Sequence, residues 1–205
     1  MPPSSNLAGV FRNGVREHVA IIRQLEAQED AFQRAAILMA DCLLRGNKVI
    51  WCGNGGSAAD SQHLAAELVG HFRRPRAALA SISLTADTSI LTAIANDFGF
   101  IEVFERQLDA LCQPGDVVVG ISTSGESRNV CAALQKARAL QAATIAMTGK
   151  TGGRLAASAD VCIRVPSTDP ARIQEAHILF GHMLCEWAEL ATCAEPALAV
   201  AGASR

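Results

Sequence analysis

The order of apolar and polar residues predicts helices at the start of the chain. Apolar side chains there recur at spacings of three and four residues, which is the stripe of an amphipathic helix. They are Phe11, Val15, Val19, Ile22 and Leu25. The same pattern continues toward Gly46. We therefore expect residues 1–45 to form helices that pack on the rest of the chain or on a second subunit.

After Gly46, short apolar runs alternate with segments long enough for helices. The predicted strands are Lys48–Cys52, Ala77–Ile82, Val117–Ile121, Ala143–Met147 and a weaker fifth, Val161–Val165. The predicted helices are Ala58–Phe72, Ser127–Leu140 and Arg172–Leu190. Apolar strands alternating with helices favour an α/β fold, in which helices cover both faces of a parallel sheet. This domain would span residues 46–192, and the alanine-rich residues 193–205 predict a flexible tail.

Composition narrows the class of protein. Of the 205 residues, 50% are hydrophobic and 19% charged, which suits a folded core and excludes a disordered chain. The net charge of −2 disfavours a nucleic-acid partner, and no apolar run reaches the roughly 20 residues that a membrane span needs. The seven cysteines are scattered without a CxxC pair, and the first residues lack a charged-then-apolar leader. We therefore expect a cytoplasmic protein with no membrane partner.

A glycine-rich connection follows the first predicted strand. Asn54, Gly55 and Gly56 let the backbone approach a ligand closely, and Ser57 is placed to cap the next helix. The glycine spacing does not fit a dinucleotide-binding turn. A tight connection with no ligand would have the same sequence, so this loop alone does not decide the function.

A second loop carries four hydroxyl groups within six residues. Ser122, Thr123, Ser124 and Ser127 follow a predicted strand and open a predicted helix. The first turn of a helix offers unpaired N–H groups and the positive end of the dipole, so this loop suits a phosphate. No Walker-type lysine is present, which favours a phosphate monoester over a nucleoside triphosphate. The alternative is a helix cap surrounded by ordinary serines.

Four further side chains could bind a metal or move protons. His63 and Glu67 lie four residues apart and share a helix face, although an ordinary solvated pair has the same spacing. Gln174 and His182 lie eight residues apart, about 12 Å along an ideal helix. One straight helix could hardly present both to a single ion, so joint action requires an irregular helix or two protomers.

Three nearby features have simple structural interpretations. Asn96-Asp97 is typical of a helix end, although its side chains could also bind sugar hydroxyls. His177 is interpreted as an ordinary packed histidine, and the arginine run at 73–76 as a solvated charge cluster.

Taken together, several segments resemble the sugar isomerase (SIS) domain superfamily and, within it, the phosphoheptose isomerase family. They are CGNGGSAADSQHLAAEL, ANDFGF, GDVVVGISTSGESRNV, MTGKTGG and RVPSTDPARIQEAHILFGH. The likeness runs from about residue 5 to 192 in the family's order. It implies a three-layer sandwich with a five-stranded parallel sheet, assembled as a homotetramer with active sites at subunit interfaces.

The resemblance also implies an activity. The family converts sedoheptulose 7-phosphate, a phosphorylated heptose, into D-glycero-D-manno-heptose 7-phosphate, the entry to lipopolysaccharide heptose. The implied reaction is an aldose–ketose isomerisation with one zinc ion per active site. Glu67 is then expected to move the carbon-bound proton, and His182 the oxygen-bound proton.

Individual residues match the family's site positions. The implied zinc ligands are His63, Glu67, Gln174 and His182. The implied substrate contacts are Asn54, Gly55, Gly56, Ser57, Glu67, Asn96, Asp97, Ser122, Thr123, Ser124, Ser127 and Gln174. Two positions depart from the pattern: His71 stands where many relatives have arginine, and Ala171 where some have aspartate. These two departures leave the finer substrate contacts open.

Other functions remain open at this stage. The main alternative is a non-catalytic SIS-fold phosphosugar-binding protein that associates with the replication initiator. The family pattern implies that this relative lacks the residues equivalent to Glu67 and His182, so their presence favours an enzyme. An isomerase of the same fold with another phosphosugar is a second alternative. A regulatory sensor is disfavoured because the sequence contains no DNA-binding segment.

Overall fold

A computed structural model describes residues 6–193 of the chain. Residues 1–5 and 194–205 lie outside the described residues, and so does all but the first residue of the predicted tail. Within the described range, we find no helix with the length and apolar character needed to cross a membrane.

Helices and strands alternate along most of the described chain. The helices are α1 (Leu7–Ile22), α2 (Glu29–Leu44), α3 (Gly56–Val69), α4 (Thr88–Asp97), α5 (Glu105–Leu111), α6 (Arg128–Ala139), α7 (Gly153–Ala157) and α8 (Pro170–Cys193). The strands are β1 (Val49–Gly53), β2 (Ser81–Ser83), β3 (Val117–Ser122), β4 (Ala143–Thr148) and β5 (Val161–Arg164). Short 3₁₀ turns at Leu25–Gln28 and Phe100–Glu102 complete the path.

The five strands form one parallel sheet in the order β2-β1-β3-β4-β5. Val49 and Trp51 of β1 belong to a core shared with α2, α3 and α8. Ile50 and Cys52, which point to the opposite face, belong to a second core with α5, α6 and α7. The predicted three-layer α/β sandwich with a five-stranded parallel sheet is therefore confirmed.

Several element boundaries differ from the predictions. α8 spans Pro170–Cys193 rather than Arg172–Leu190, so the first residue of the predicted tail, Cys193, belongs to this helix. β2 contains only Ser81–Ser83 and lies at the sheet edge, because Leu79 N–H donates to the Leu68 carbonyl oxygen at the end of α3 instead of joining the sheet. α3 ends at Val69 rather than Phe72, because the Arg76 guanidinium hydrogen-bonds the carbonyl oxygens of Glu67 and Leu68. Phe72 therefore lies in the segment that follows the helix.

The first helix packs along the last one through polar contacts. The Arg172 guanidinium donates to the Gly14 carbonyl oxygen, and the His18 ring lies 2.7 Å from a Glu175 carboxylate oxygen. No residue of α1 is buried, and Phe11 and Val15 of the predicted stripe are 72% and 49% exposed. The rest of the described chain covers Ile22 and Leu25 at the end of the stripe but leaves its start, with Phe11 and Val15, uncovered.

All seven cysteines lie within residues 6–193, and all are free thiols. Four of them are buried, as expected for small apolar core residues. Burial raises the pKa of the Cys52 thiol to about 12, so this group stays protonated at neutral pH.

Candidate active site

The two predicted ligand loops meet at the carboxyl edge of the sheet. β1 and β3 are neighbours, but the chain leaves them in opposite directions, through α3 toward β2 and through α6 toward β4. Such a divergence opens a crevice at the strand ends, which is where open parallel sheets bind ligands. The loops at 54–56 and 123–127 border this crevice.

An amide pair joins the two loops. Asn54 Nδ2 donates to Asn129 Oδ1, and Asn129 Nδ2 donates to Asn54 Oδ1, both at 2.9 Å. Asn129 is buried in the first turn of α6. The glycine-rich loop is thereby held against the start of the helix that follows the hydroxyl-rich loop.

Three of the four predicted hydroxyl groups converge. Ser122 Oγ lies 2.9 Å from Ser127 Oγ and 3.4 Å from Ser124 Oγ. Ser127 is the residue before α6 but makes no side-chain cap. The Val130 N–H donates to Asn129 Oδ1 at 3.0 Å, whereas the Arg128 and Asn129 N–H groups have no acceptor among the described residues. Converging hydroxyls at a free helix N-terminus suit a phosphate group.

A second turn of the chain holds the hydroxyl loop in shape. The Thr123 carbonyl oxygen accepts from Gly149 N–H at 3.0 Å, and the Gly125 carbonyl oxygen accepts from Leu155 N–H at 2.9 Å. Gly125 has φ +70°, and a Cβ at this position would collide with the Gly152 carbonyl. Only glycine fits this position without strain.

α3 begins at Gly56, two residues earlier than the predicted start at Ala58. Gly55, with φ 57°, is the residue that precedes the helix, and Ser57 is buried inside its first turn. The predicted cap by Ser57 is therefore wrong, because the Asn54 and Gly55 carbonyl oxygens already accept the first N–H groups. Gly56 leaves room for the Gln174 amide, which lies 2.6 Å from where a Cβ would be.

His63, Glu67 and His182 form a cluster two turns further along α3. His63 Nε2 lies 2.9 Å from His182 Nε2 and 3.3 Å from Glu67 Oε1. α3 and α8 can approach closely here because residue 181 is glycine. A Cβ at this position would lie only 2.5 Å from a Leu64 methyl carbon. Tight packing of α8 on α3 thus brings the two histidines into contact.

The donor set of this cluster fits zinc. One atom from each of the three side chains lies within 4.8 Å of the other two. Two imidazoles and one carboxylate are the protein ligands of many catalytic zinc sites, which leave one position open for substrate. Zinc–nitrogen bonds of about 2 Å in a tetrahedron place neighbouring ligand atoms about 3.3 Å apart, close to the spacings found here.

Gln174 lies apart from this cluster within the chain. α8 is one continuous helix, and the Gln174 amide sits beside Gly56, eight residues before His182. The helix therefore presents Gln174 to the glycine-rich loop and His182 to His63. Binding of Gln174 to the same ion through another protomer stays a prediction.

The electrostatic environment of His182 favours its neutral form. Burial lowers the pKa of His182, and the nearby His63 adds to this effect, while Glu67 partly offsets it. The Phe72 ring stacks on the imidazole at a centroid distance of 5.2 Å and an interplanar angle of 18°. A neutral imidazole can bind a metal or accept a proton.

Asp60 lies between the two ends of the site. Gly56, Asp60, His63 and Glu67 share one face of α3 at helical spacing. Burial raises the pKa of Asp60 to about 6, and its buried Oδ2 atom has no hydrogen-bond partner. The sequence analysis did not single out this carboxyl group.

Other predicted site residues lie at the periphery. Asn96 and Asp97 end α4, as predicted, and are exposed, with the Asn96 amide donating to the Asp97 carboxylate at 2.7 Å. Among the described residues, neither side chain hydrogen-bonds to the crevice loops. His71 and Ala171 are also exposed, in the segment after α3 and in the first turn of α8. The substrate roles of Asn96 and Asp97 stay predictions.

Two structural interpretations have different outcomes. His177 is fully buried and its Nε2 lies 3.2 Å from the Thr148 carbonyl oxygen, so the packed histidine is confirmed. Arg73 is exposed, but the Arg76 side chain is only 4% exposed and pairs with Glu189. The solvated interpretation is thus wrong for Arg76, since its partner lies more than 100 residues away and no local pattern indicates it.

Comparison with known proteins gives a consistent family. The SIS domain family profile matches residues 15–149. The phosphoheptose isomerase of Aquifex aeolicus is 52% identical over 184 residues, covering 90% of this chain and 95% of that protein.

Comparison with solved structures indicates the same family. The phosphoheptose isomerase GmhA from Neisseria gonorrhoeae has a TM-score of 0.85 and 44% identity, covering 90% of this chain and 99% of that one. A phosphoheptose isomerase from Francisella tularensis has a TM-score of 0.83 and 35% identity, covering 93% and 100%. The chain therefore belongs to the SIS domain family and, within it, to the phosphoheptose isomerases, a family of enzymes.

Proposed function

We propose that this protein is an aldose–ketose isomerase that converts sedoheptulose 7-phosphate into D-glycero-D-manno-heptose 7-phosphate. The observation that carries the proposal is the cluster of His63, Glu67 and His182, in which His63 contacts both other side chains. His63 and Glu67 lie on the face of α3 that begins at the glycine-rich loop. Relatives about 50% identical carry the name phosphoheptose isomerase, which supports this substrate class.

The spacing along α3 fits an extended phosphosugar. His63 follows Gly56 by seven residues, which corresponds to about 10 Å along the helix axis. Gly56 lies in the loop that Asn54 joins to the start of α6, beside the proposed phosphate site. A phosphate bound by Ser122, Ser124 and Ser127 would then leave the other end of the sugar near Glu67 and His182. Binding energy at the phosphate would position the reacting carbons.

The reaction moves one proton between neighbouring carbons and one between their oxygens. Glu67 removes the proton from the first carbon and returns it to the second, because a carboxylate can carry a proton between two adjacent positions. His182 carries the proton between the oxygens, as its lowered pKa keeps it ready to accept one. A zinc ion bound by His63, Glu67 and His182 would supply Lewis-acid stabilisation of the oxygen charge.

Assembly as a homotetramer is part of the proposal. The uncovered apolar face of α1, with Phe11 and Val15, is a surface that a second copy could bury. Phe98 and Phe100, beyond α4, are also exposed. We further propose that the enzyme acts in the cytoplasm, which its seven free thiols support, and supplies heptose for lipopolysaccharide.

Steady-state kinetics test this function. The purified protein with zinc should convert sedoheptulose 7-phosphate to an aldose, whereas sedoheptulose without phosphate should react far more slowly. Ser124→Ala should raise KM because it removes one hydroxyl from the phosphate site. The matched control is Ser158→Ala, since Ser158 lies after α7, outside this loop. Tight binding of the phosphosugar without turnover would contradict the isomerase and favour a binding protein.

A further inference from the structure

The segment that follows α3 is clamped by one buried carboxylate. Glu189 of α8 accepts from the backbone N–H groups of Phe72 at 2.6 Å, Arg73 at 2.9 Å and Arg74 at 3.2 Å. Arg76 Nε also donates to Glu189 Oε1, at 3.0 Å. Burial alone would raise the pKa of Glu189, but these hydrogen bonds and Arg76 outweigh it and lower the pKa. The carboxylate is therefore ionised at neutral pH.

The cation of this pair holds the end of α3. Arg76 donates to the carbonyl oxygens of Glu67 at 2.9 Å, Leu68 at 2.8 Å and Ala77 at 3.0 Å. The Glu189 and Arg76 side chains are 1% and 4% exposed. Both ends of the segment are thus attached to buried groups.

The hydrogen bond from Phe72 N–H to Glu189 holds Phe72 against α8. His182 precedes Glu189 by seven residues, about two turns, so the two side chains share a face of α8. The Phe72 ring lies nearly parallel to the His182 imidazole, with 5.2 Å between centroids. His63 meets the same imidazole edge-on, at 5.1 Å and 73°. The imidazole is therefore confined by two rings in different planes.

We propose that Phe72 is a positioning residue for His182, held in place by Glu189 and Arg76. The flat ring restricts rotation of the imidazole and keeps its Nε2 directed toward His63 and Glu67. This inference rests on the proposed isomerase function, because it concerns the geometry of the group that carries the oxygen-bound proton. Misplacement of a reacting group by about 1 Å can cost about 100-fold in rate.

The alternative is that Phe72 only contributes packing, and a matched pair of variants separates the two. Phe72→Leu keeps an apolar side chain but removes the flat ring, whereas Phe72→Tyr keeps the ring. Phe32→Leu is the control, since Phe32 is a partly buried aromatic of α2 that packs against Phe180, with 6.3 Å between centroids. Each variant is compared with the wild type in two measurements.

The first measurement is proton NMR of the metal-free protein, with the His182 ring signals assigned through His182→Gln. A stacked aromatic ring shifts the protons above it upfield. We expect Phe72→Leu to lose this shift, and Phe72→Tyr and Phe32→Leu to retain it. An unchanged shift in Phe72→Leu would overturn the proposal without any assay of activity.

The second measurement is the kinetics of the zinc-loaded protein on sedoheptulose 7-phosphate. We expect Phe72→Leu to lower kcat by about 10- to 100-fold with little change in KM, and Phe72→Tyr to restore most of this loss. An equal fall in kcat for Phe32→Leu would show a general packing effect and refute positioning. An inactive wild type would refute the proposed function instead, and the NMR comparison would still decide the placement of the ring.

Discussion

Removal of one partner of the buried ion pair between Arg76 and Glu189 should lower the free energy of unfolding by an amount that can be worked out from its burial. Arg76→Met keeps the apolar stem but removes the cation, leaving Glu189 charged in a site that is 1% exposed. Removal of one partner from a buried pair costs about 3–5 kcal/mol. For a chain of this size each kcal/mol lowers Tm by about 2–4 °C, so the expected loss is about 6–20 °C.

The assay is differential scanning calorimetry at pH 7, at one fixed protein concentration because assembly shifts Tm. Arg73→Met is the matched control. Arg73 pairs with Glu186 at 2.7 Å, but the two side chains are 62% and 37% exposed. Exposed pairs contribute at most about 1 kcal/mol, so Tm should fall by only a few degrees. Equal losses in the two variants would refute the argument that burial makes the Arg76 pair essential.

Three further predictions follow from the buried polar groups. Burial lowers the pKa of His177 from 6.5 to about 4, so the unfolded chain binds more protons than the folded chain between these pH values. The free energy of unfolding should therefore be highest above pH 6.5 and fall by about 3 kcal/mol toward pH 4. Urea denaturation of His177→Leu at pH 7 and 4.5 should show a weaker acid loss, and an unchanged loss would exclude His177 as its source. Burial raises the pKa of Asp60 from 3.8 to about 6, so the folded chain binds more protons and stability falls as the pH rises through this window. Asp60→Asn should therefore stabilise the protein at pH 7 by about 1 kcal/mol, given partial solvent screening, but not at pH 3.5; a loss at pH 7 would contradict the sign. Asn54→Ala should cost about 1–3 kcal/mol in urea denaturation because buried Asn129 loses both amide partners, and a neutral result would mean that water replaces them.

The sheet was predictable because its central strands are buried on both faces. β1, β3 and β4 are almost continuously apolar, so their positions follow from the sequence within one residue. β2 has only three residues at the sheet edge, and α4 contains no buried residue. The predicted strand Ala77–Ile82 therefore shares only its last two residues with β2, and of α4 the sequence indicated only the end at Asn96-Asp97.

The site was predictable where its geometry is local. The hydroxyl loop and the pair His63 and Glu67 depend on neighbouring residues, and both have the expected arrangement. The spacing of eight residues along α8 also predicted that Gln174 and His182 of one chain do not meet at one point, and the structure places Gln174 beside Gly56 instead.

The remaining contacts join residues far apart in the sequence. Asn54 meets Asn129, Phe72 meets His182, and Glu189 meets the segment after α3. Each contact depends on how α3, α6 and α8 pack together, and spacing along the chain carries no information about it. For this reason, the motifs indicated candidate groups for the proposed chemistry, but not the groups that hold them in place.

The most direct test of the central claim is proton exchange by NMR in D₂O with sedoheptulose 7-phosphate and zinc. The wild type should place deuterium on the carbon beside the carbonyl and produce aldose signals. Glu67→Gln should slow both by at least about 100-fold, because it removes the carboxylate base. Glu186→Gln, which changes an exposed carboxylate on α8, should leave both unchanged. Exchange by Glu67→Gln at the wild-type rate would contradict the assignment of Glu67 as the base.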